Sequence, residues 1–508
     1  MTSSPLPGTR ERSCGVLLHP TALPGPGPNG TFGQAARDWL GLLGRSGVGV
    51  WQLLPLAPTD GTGSPYSSPS GSALNPALLD GELLRQEGFI QADSAQPSGQ
   101  VLGPELLRCW GRQPRPHQEA FRRWCGAERF WLRDHCRFMV LRALHAGQPW
   151  WQWPAPLARR DRRALRRLDR EHRQALLLEA LVQWQLQRQW GRLRRLAREH
   201  GVRLLGDLPF YVAHDSADVW SRPALFSLGP EGTLEAQSGV PPDYFSATGQ
   251  LWGTPVYRWP VHGVSGFRWW LARLERQLAL FDLLRLDHFR ALQAYWSVPG
   301  GDATAEHGVW KASPGWPLLA LLWCRCALGG DLQGWRGRLG RLPLVAEDLG
   351  VITPPVEQLR DGFGLPGMKI LQFAFDGDPV NPYLPANIRG RRWVVYTGTH
   401  DNATTLGWWH SLDGESRSRV ERAVGAPVTA PGWQLLELAL ASSADLAVAP
   451  LQDLLELGDE ARFNTPGTTE GNWCWRLDRP VASLAGPLGG YGAMASRYGR
   501  GLGPAATA

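Results

Sequence analysis

No run of this 508-residue chain approaches the roughly 20 uninterrupted apolar residues that a membrane helix needs, which argues against a membrane span. The opening stretch, MTSSPLPGTRERSCG, has no apolar core behind a charged start, so it does not read as a secretory signal, and a cytoplasmic protein is expected. Seven scattered cysteines, at 14, 109, 125, 136, 324, 326 and 474, give neither a disulfide framework nor paired zinc spacings. Cys324 and Cys326, in LLWCRCALGG, are expected on a buried helix. No glycine-rich phosphate loop follows any candidate strand, and no EF-hand loop is present. The net charge of +7 and pI near 9.2 could suggest nucleic acid, but no nucleic-acid fold motif accompanies them. Much of the excess sits in LARRDRRALRRLDREHR (157–173), at a spacing that suits a solvated helix. No nucleic-acid or membrane partner is expected.

What the chain has in abundance is tryptophan, 26 in all. Indoles bury much area and offer flat faces, so most belong to a core and a few can serve as platforms for sugar rings. Apolar runs then recur along the chain with helical stretches between them. GVLL near 15, VGVWQLLPL (48–56), VRLLGDLPFYV (202–212), FDLLRLDHFR (281–290), RLPLVAEDLG (341–350), GMKILQFAF (367–375), RRWVVYTGTHDN (391–402) and ADLAVAP near 445 read as strands. Helices are expected at about 33–45, 266–279 and 433–442, with Thr353 capping another. Residues 77–200 carry no strand signal and read as a mostly helical insertion, and 213–265 as a loop-rich insertion after the third strand. Repeated strands with intervening helices imply a parallel α/β sheet. Charged groups stand at several strand ends, Asp207, Asp287, Glu347 and Asp401, as expected of a single (β/α)8 TIM barrel over 1–508. A doubly wound open sheet is the alternative.

Carboxylates gathered at one barrel mouth suit a hard cation or a glycosidic bond. Magnesium would usually come with phosphate-binding machinery, and calcium needs six to eight oxygens. Glycoside chemistry fits better, with one carboxylate as nucleophile and another as general acid and base. Arg285 can keep a neighbouring nucleophile ionised.

The segments LLHPTALPGP, WQLLPLAPT, SPYSS, GDLPFYVAHDSADVW, PPDYFSATGQLWGTPVY, RLDHFR, YWSVP, AEDLG, PGMKILQFAF, TGTHDN and RFNTPGTTEGNWCWR occur in one order along the chain. In that order they resemble the amylomaltase, or disproportionating enzyme, family of 4-α-glucanotransferases. The resemblance implies a barrel related to that of α-amylases, acting on α-1,4-glucans and maltooligosaccharides, with glucose among the acceptors and no cofactor or metal. It implies Asp287 as nucleophile, Glu347 as acid and base, and Asp401 as stabiliser of the transition state. Tyr66, Asp207, Gln250, Trp252, Arg285, His400 and Asn464 match positions that bind substrate or line the cleft. From the sequence alone Asp207 could be structural and Trp252 could be core. Thr31, Ala291 and Ala403 depart from the family pattern without removing a reacting group. The carboxylates do not by themselves separate transfer from α-amylase-type hydrolysis.

Overall fold

The computed structural model describes residues 12–91, 99–242, 246–328, 342–468 and 470–501. Eight parallel strands form one sheet: β1 (Ser13–Leu17), β2 (Val50–Gln52), β3 (Arg203–Leu208), β4 (Leu283–Leu286), β5 (Leu344–Ala346), β6 (Gly367–Ile370), β7 (Trp393–Tyr396) and β8 (Leu446–Pro450). Their spatial order is β6-β7-β8-β1-β2-β3-β4-β5. The two ends of that order meet. Ala346 N–H donates to the Pro366 carbonyl at 2.8 Å, and Met368 N–H donates to the Asp348 carboxylate at 2.7 Å. Arg360 pairs with that carboxylate and lies over the Trp393 ring at 4.8 Å, so a buried acid closes the seam and completes the (β/α)8 barrel expected from the sequence.

Side-chain alternation along these strands decides what reaches the barrel axis. Leu205, Leu283, Val345, Val394 and Tyr396 belong to the inner cluster that fills the barrel, while Leu204, Leu284, Leu286, Leu344, Ala346 and Val395 pack outward against the helices. Counting on by twos, the inward row continues into Asp207, Arg285, Asp287 and Glu347. Gly206 belongs to the outward row, where an added Cβ would lie 2.2 Å from the Phe281 ring.

Between β2 and β3 a long loop is followed, from Gly81 on, by helices in the described chain, ending in the 27-residue helix Arg173–Glu199. Its amphipathic face buries Trp184 and Trp190. Two buried glutamines on that helix hold the loop after β2: Gln183 bonds both backbone groups of Leu74, and Gln189 both of Asp80. That loop carries Tyr66.

Residues 213–265, expected to be loop-rich, contain two strands, Ala236–Val240 and Gln250–Pro255. They join Ala294–Pro299 and Val309–Ala312 in a second, antiparallel sheet of four strands beside the barrel mouth. Asp243, Tyr244 and Phe245 of the motif between the first two lie outside the described residues. Thr353 stands at the N-terminus of helix Pro354–Gly362 but makes no side-chain cap bond. Cys324 lies on helix Gly315–Leu328 as expected, yet is exposed, because the helix buries its opposite face through Leu318, Leu319 and Leu322. Among the described residues eleven tryptophans are buried, Trp39, Trp51, Trp190, Trp220 and Trp270 completely, and nine more pack partly buried against the core. Among the described residues, no helix is long and apolar enough to cross a membrane.

Candidate active site

Arg285 is the centre of the site. From the inner face of β4 its Nη1 reaches both oxygens of Asp207, at 2.9 and 2.7 Å, and its Nη2 reaches Asp287 at 2.9 Å. The Asp207 carboxylate is closed off entirely, with 0% side-chain exposure, and also accepts the Tyr66 hydroxyl proton at 2.7 Å. Because that proton goes to Asp207, the tyrosine oxygen must accept from His400 Nε2–H at 2.9 Å. The same Nε2 lies 3.2 Å from Asp401, and the imidazole stacks on Tyr66 at 5.3 Å. One continuous network therefore runs from Asp287 through Arg285, Asp207, Tyr66 and His400 to Asp401.

Glu347 enters at the end of β5. Its carboxylate accepts from His288 N–H at 2.7 Å and from Leu349 N–H at 2.9 Å. His288 follows Asp287 directly and has a left-handed backbone (φ 50°), which breaks the strand and turns its N–H toward Glu347. Its imidazole meets Trp252 edge to face at 4.8 Å, and Nε2 has no partner. Trp252 is 37% exposed and donates to Gln250 at 3.3 Å, so an indole of the second sheet stands open beside the carboxylates. Asn464 Nδ2 donates to Asp401 at 2.7 Å, bringing the loop after β8 onto the site.

The three carboxyls differ in proton affinity. Burial pushes Asp287 up to about 6, with Arg285 opposing the rise. Burial likewise pushes Glu347 up to about 7, opposed by Arg285 and the two backbone N–H groups and reinforced by the charge on Asp287. Asp401 goes the other way. Burial within the cleft walls would raise it, although 44% of its side-chain surface is open. His400, the Asn464 hydrogen bond and Arg285 outweigh that and hold it well below the usual carboxylate range. Such divergence is what separates an acid from a nucleophile or a fixed anion.

The contacts above bring together nine of the ten residues singled out in the sequence; Gln250 is exposed and joins them only through Trp252. Arg285 and Asp207 are behind the cleft, paired with each other and buried. Trp473, within RFNTPGTTEGNWCWR, also belongs to the group. It packs 5.9 Å from Tyr66 and 6.1 Å from His400 with a left-handed backbone (φ 62°), and its N–H closes the 463–473 loop onto Phe463. The flanking Gly471 and Asn472 were the available signal for a tight turn. Of the departures, Thr31 bonds Asp80, Ala291 is buried, and the Ala403 carbonyl accepts from Gln372 at 3.0 Å.

A (β/α)8 barrel that gathers carboxylates at the ends of its strands has the arrangement that glycosidic-bond chemistry requires. The profile of the 4-alpha-glucanotransferase family matches residues 18–482. The 4-alpha-glucanotransferase of Thermus thermophilus is 44% identical over 486 residues, covering 92% of this chain and 95% of that one. That of Synechocystis sp. is 42% identical, covering 92% and 94%. Among solved structures, the amylomaltase from Streptococcus agalactiae in complex with acarbose superposes with a TM-score of 0.87 at 31% identity, covering 97% of this chain and 100% of that one. The chain belongs to the 4-α-glucanotransferase family, glycosyltransferases that act on α-1,4-glucans.

Proposed function

We propose that the chain moves α-1,4-glucan segments from a donor to the 4-hydroxyl of an acceptor glucan or glucose by double displacement, with Asp287 as nucleophile and Glu347 as acid and base. The observation that carries this reading is the unequal support of the two carboxylates. Asp287 has a guanidinium at 2.9 Å, whereas Glu347 has only backbone N–H partners and the higher proton affinity. In the first step the Asp287 oxygen not held by Arg285 attacks C1. The C1–O4 bond breaks, and the Glu347 proton goes to the leaving oxygen. In the second, ionised Glu347 takes the proton of the acceptor 4-hydroxyl as that oxygen attacks C1 and Asp287 leaves. Asp401, with His400 and Tyr66 behind it, faces the developing positive charge and the hydroxyls of the donor sugar. Gln250 and Trp252 serve the acceptor, the indole by stacking on a sugar face. Asp207 and Arg285 are positioning residues: closed off from the cleft, they act through Asp287 and Tyr66.

Maltotriose separates transfer from α-amylase-type hydrolysis. We expect a ladder of shorter and longer maltooligosaccharides with almost no gain in reducing ends; a matching rise in reducing ends overturns transfer. Asn464→Ala deletes a hydrogen bond to the charged Asp401, and kcat is expected to fall about tenfold or more with KM little changed. A rise in KM at unchanged kcat would place Asn464 in ground-state binding instead.

A further inference from the structure

Arg290, the last residue of RLDHFR, has no part in the reaction above. Its guanidinium lies 3.8 Å over the ring of Trp310, and its Nη1 donates to the Val351 carbonyl at 2.6 Å. Trp310 belongs to Val309–Ala312, the outer strand of the second sheet, all four residues of which are exposed. Trp296 meets it edge to face at 5.2 Å and is itself fixed by its Nε1–H to the Ala305 carbonyl at 2.8 Å. The indole is thus held by a cation on one face and an aromatic edge, yet 41% of Trp310 stays in water. Val351, 67% exposed, is tied to it through Arg290 and stands four residues beyond Glu347.

From this arrangement we infer that Trp310, backed by Arg290, is an outlying stacking site for an α-1,4-glucan chain on the Glu347 side of the cleft. The side follows from the chemistry and rests on the assignment of Glu347 under the proposed function. The acid and base serves the oxygen of the leaving or accepting segment, so the chain running past Glu347 is that segment. The guanidinium over the ring and the Trp296 contact hold the indole in place, and its exposed part is a flat, immobile aromatic surface of the kind that matches the C–H face of a pyranose. A second protein copy fits less well. One indole with Val309 and Val351 is far smaller than the roughly 800 Å² per partner of a stable interface. The strand edge also carries Lys311, a charge of the kind that discourages strand addition.

The test compares donors that end before this site with donors that can reach it. For Trp310→Ala, the ratio of kcat/KM on maltoheptaose to that on maltotriose is expected to fall about fivefold, the size of one lost stacking contact. Trp310→Tyr, which keeps a flat ring, is expected to retain most of the ratio. In a Glu347→Gln background, calorimetric titration should show the same selective loss for maltoheptaose. Equal losses on both sugars, or an unchanged ratio, would overturn the site. So would a fall in mass by sedimentation equilibrium on Trp310→Ala, which would make the face a contact between copies. Undiminished transfer by Glu347→Gln alone would instead overturn the assignment of Glu347.

Discussion

Glu347→Gln is expected to lower kcat on maltotriose by about 10³-fold or more, toward the upper end of what a positioned general acid and base contributes. The glutamine oxygen can keep one of the two backbone hydrogen bonds, from His288 or Leu349, while its NH2 cannot accept the other; the side chain keeps its shape, so folding and sugar binding should persist. A donor whose leaving group needs no proton, such as a maltosyl fluoride, should restore the first step and leave the second slow. Failure of that rescue would give Glu347 some other role. The pH profile tests the same assignment. Asp287 must be ionised and Glu347 protonated for the first step, so the acid limb follows Asp287 near 6 and the alkaline limb follows Glu347 near 7. The expected kcat/KM profile is a narrow bell, and with the fluoride donor Glu347→Gln should lose its alkaline limb alone.

The same shifts fix the sign of a stability effect. A carboxyl whose folded pKa exceeds its unfolded value, near 4, binds its proton more tightly when folded. The stability contributed by Asp287 and Glu347 is therefore full below about pH 4 and is lost as pH rises through about 6 and 7 respectively. Asp401 is opposite: its folded pKa is depressed, and its contribution is present above its unfolded value and lost as pH falls through the folded one. At pH 8, Glu347→Gln should consequently melt higher than the parent protein, as expected of a site that holds ionised groups out of water for function.

The parts of this site legible in the sequence are those that strand periodicity determines. Arg285 and Asp287 fall on one side because each is an even step from Leu283, and Val345 likewise points on to Glu347. Asp348 next to it is equally acidic but lies one step off that row, and it closes the barrel seam. Strict alternation would turn His288 away from Asp287. A left-handed residue ends the strand instead, and its N–H serves Glu347. The second sheet was illegible for a different reason. Its strands are short, Gln250–Pro255 and Val309–Ala312 are largely exposed, and Ala236–Val240 and Gln250–Pro255 contain Gly239 and Gly253, so neither hydrophobic alternation nor propensity marks them. The loop of Tyr66 depends on Gln183 and Gln189, more than a hundred residues away, and no local pattern announces such a contact.

Arg285→Met should be the most damaging single change to both stability and turnover. The cation is 5% exposed and lies between two carboxylates, so its removal leaves Asp207 and Asp287 without their shared counter-charge. Breaking a buried ion pair by deleting one partner costs about 3–5 kcal/mol. Because the remaining penalty belongs to ionised carboxylates, the loss in chemical denaturation should be greater at pH 8 than at pH 5. Asp287, already raised to about 6 with Arg285 present, should move higher, so that at pH 7 the nucleophile is largely protonated and the acid limb shifts toward alkaline pH. A loss of stability with no shift of that limb would show that Arg285 holds the fold and does not set the charge of Asp287. Adding Asp207→Asn removes one of the two stranded charges and should recover part of the stability without recovering the rate. That divergence would show that the buried pair is retained for the charge on Asp287, since the fold alone could do without it.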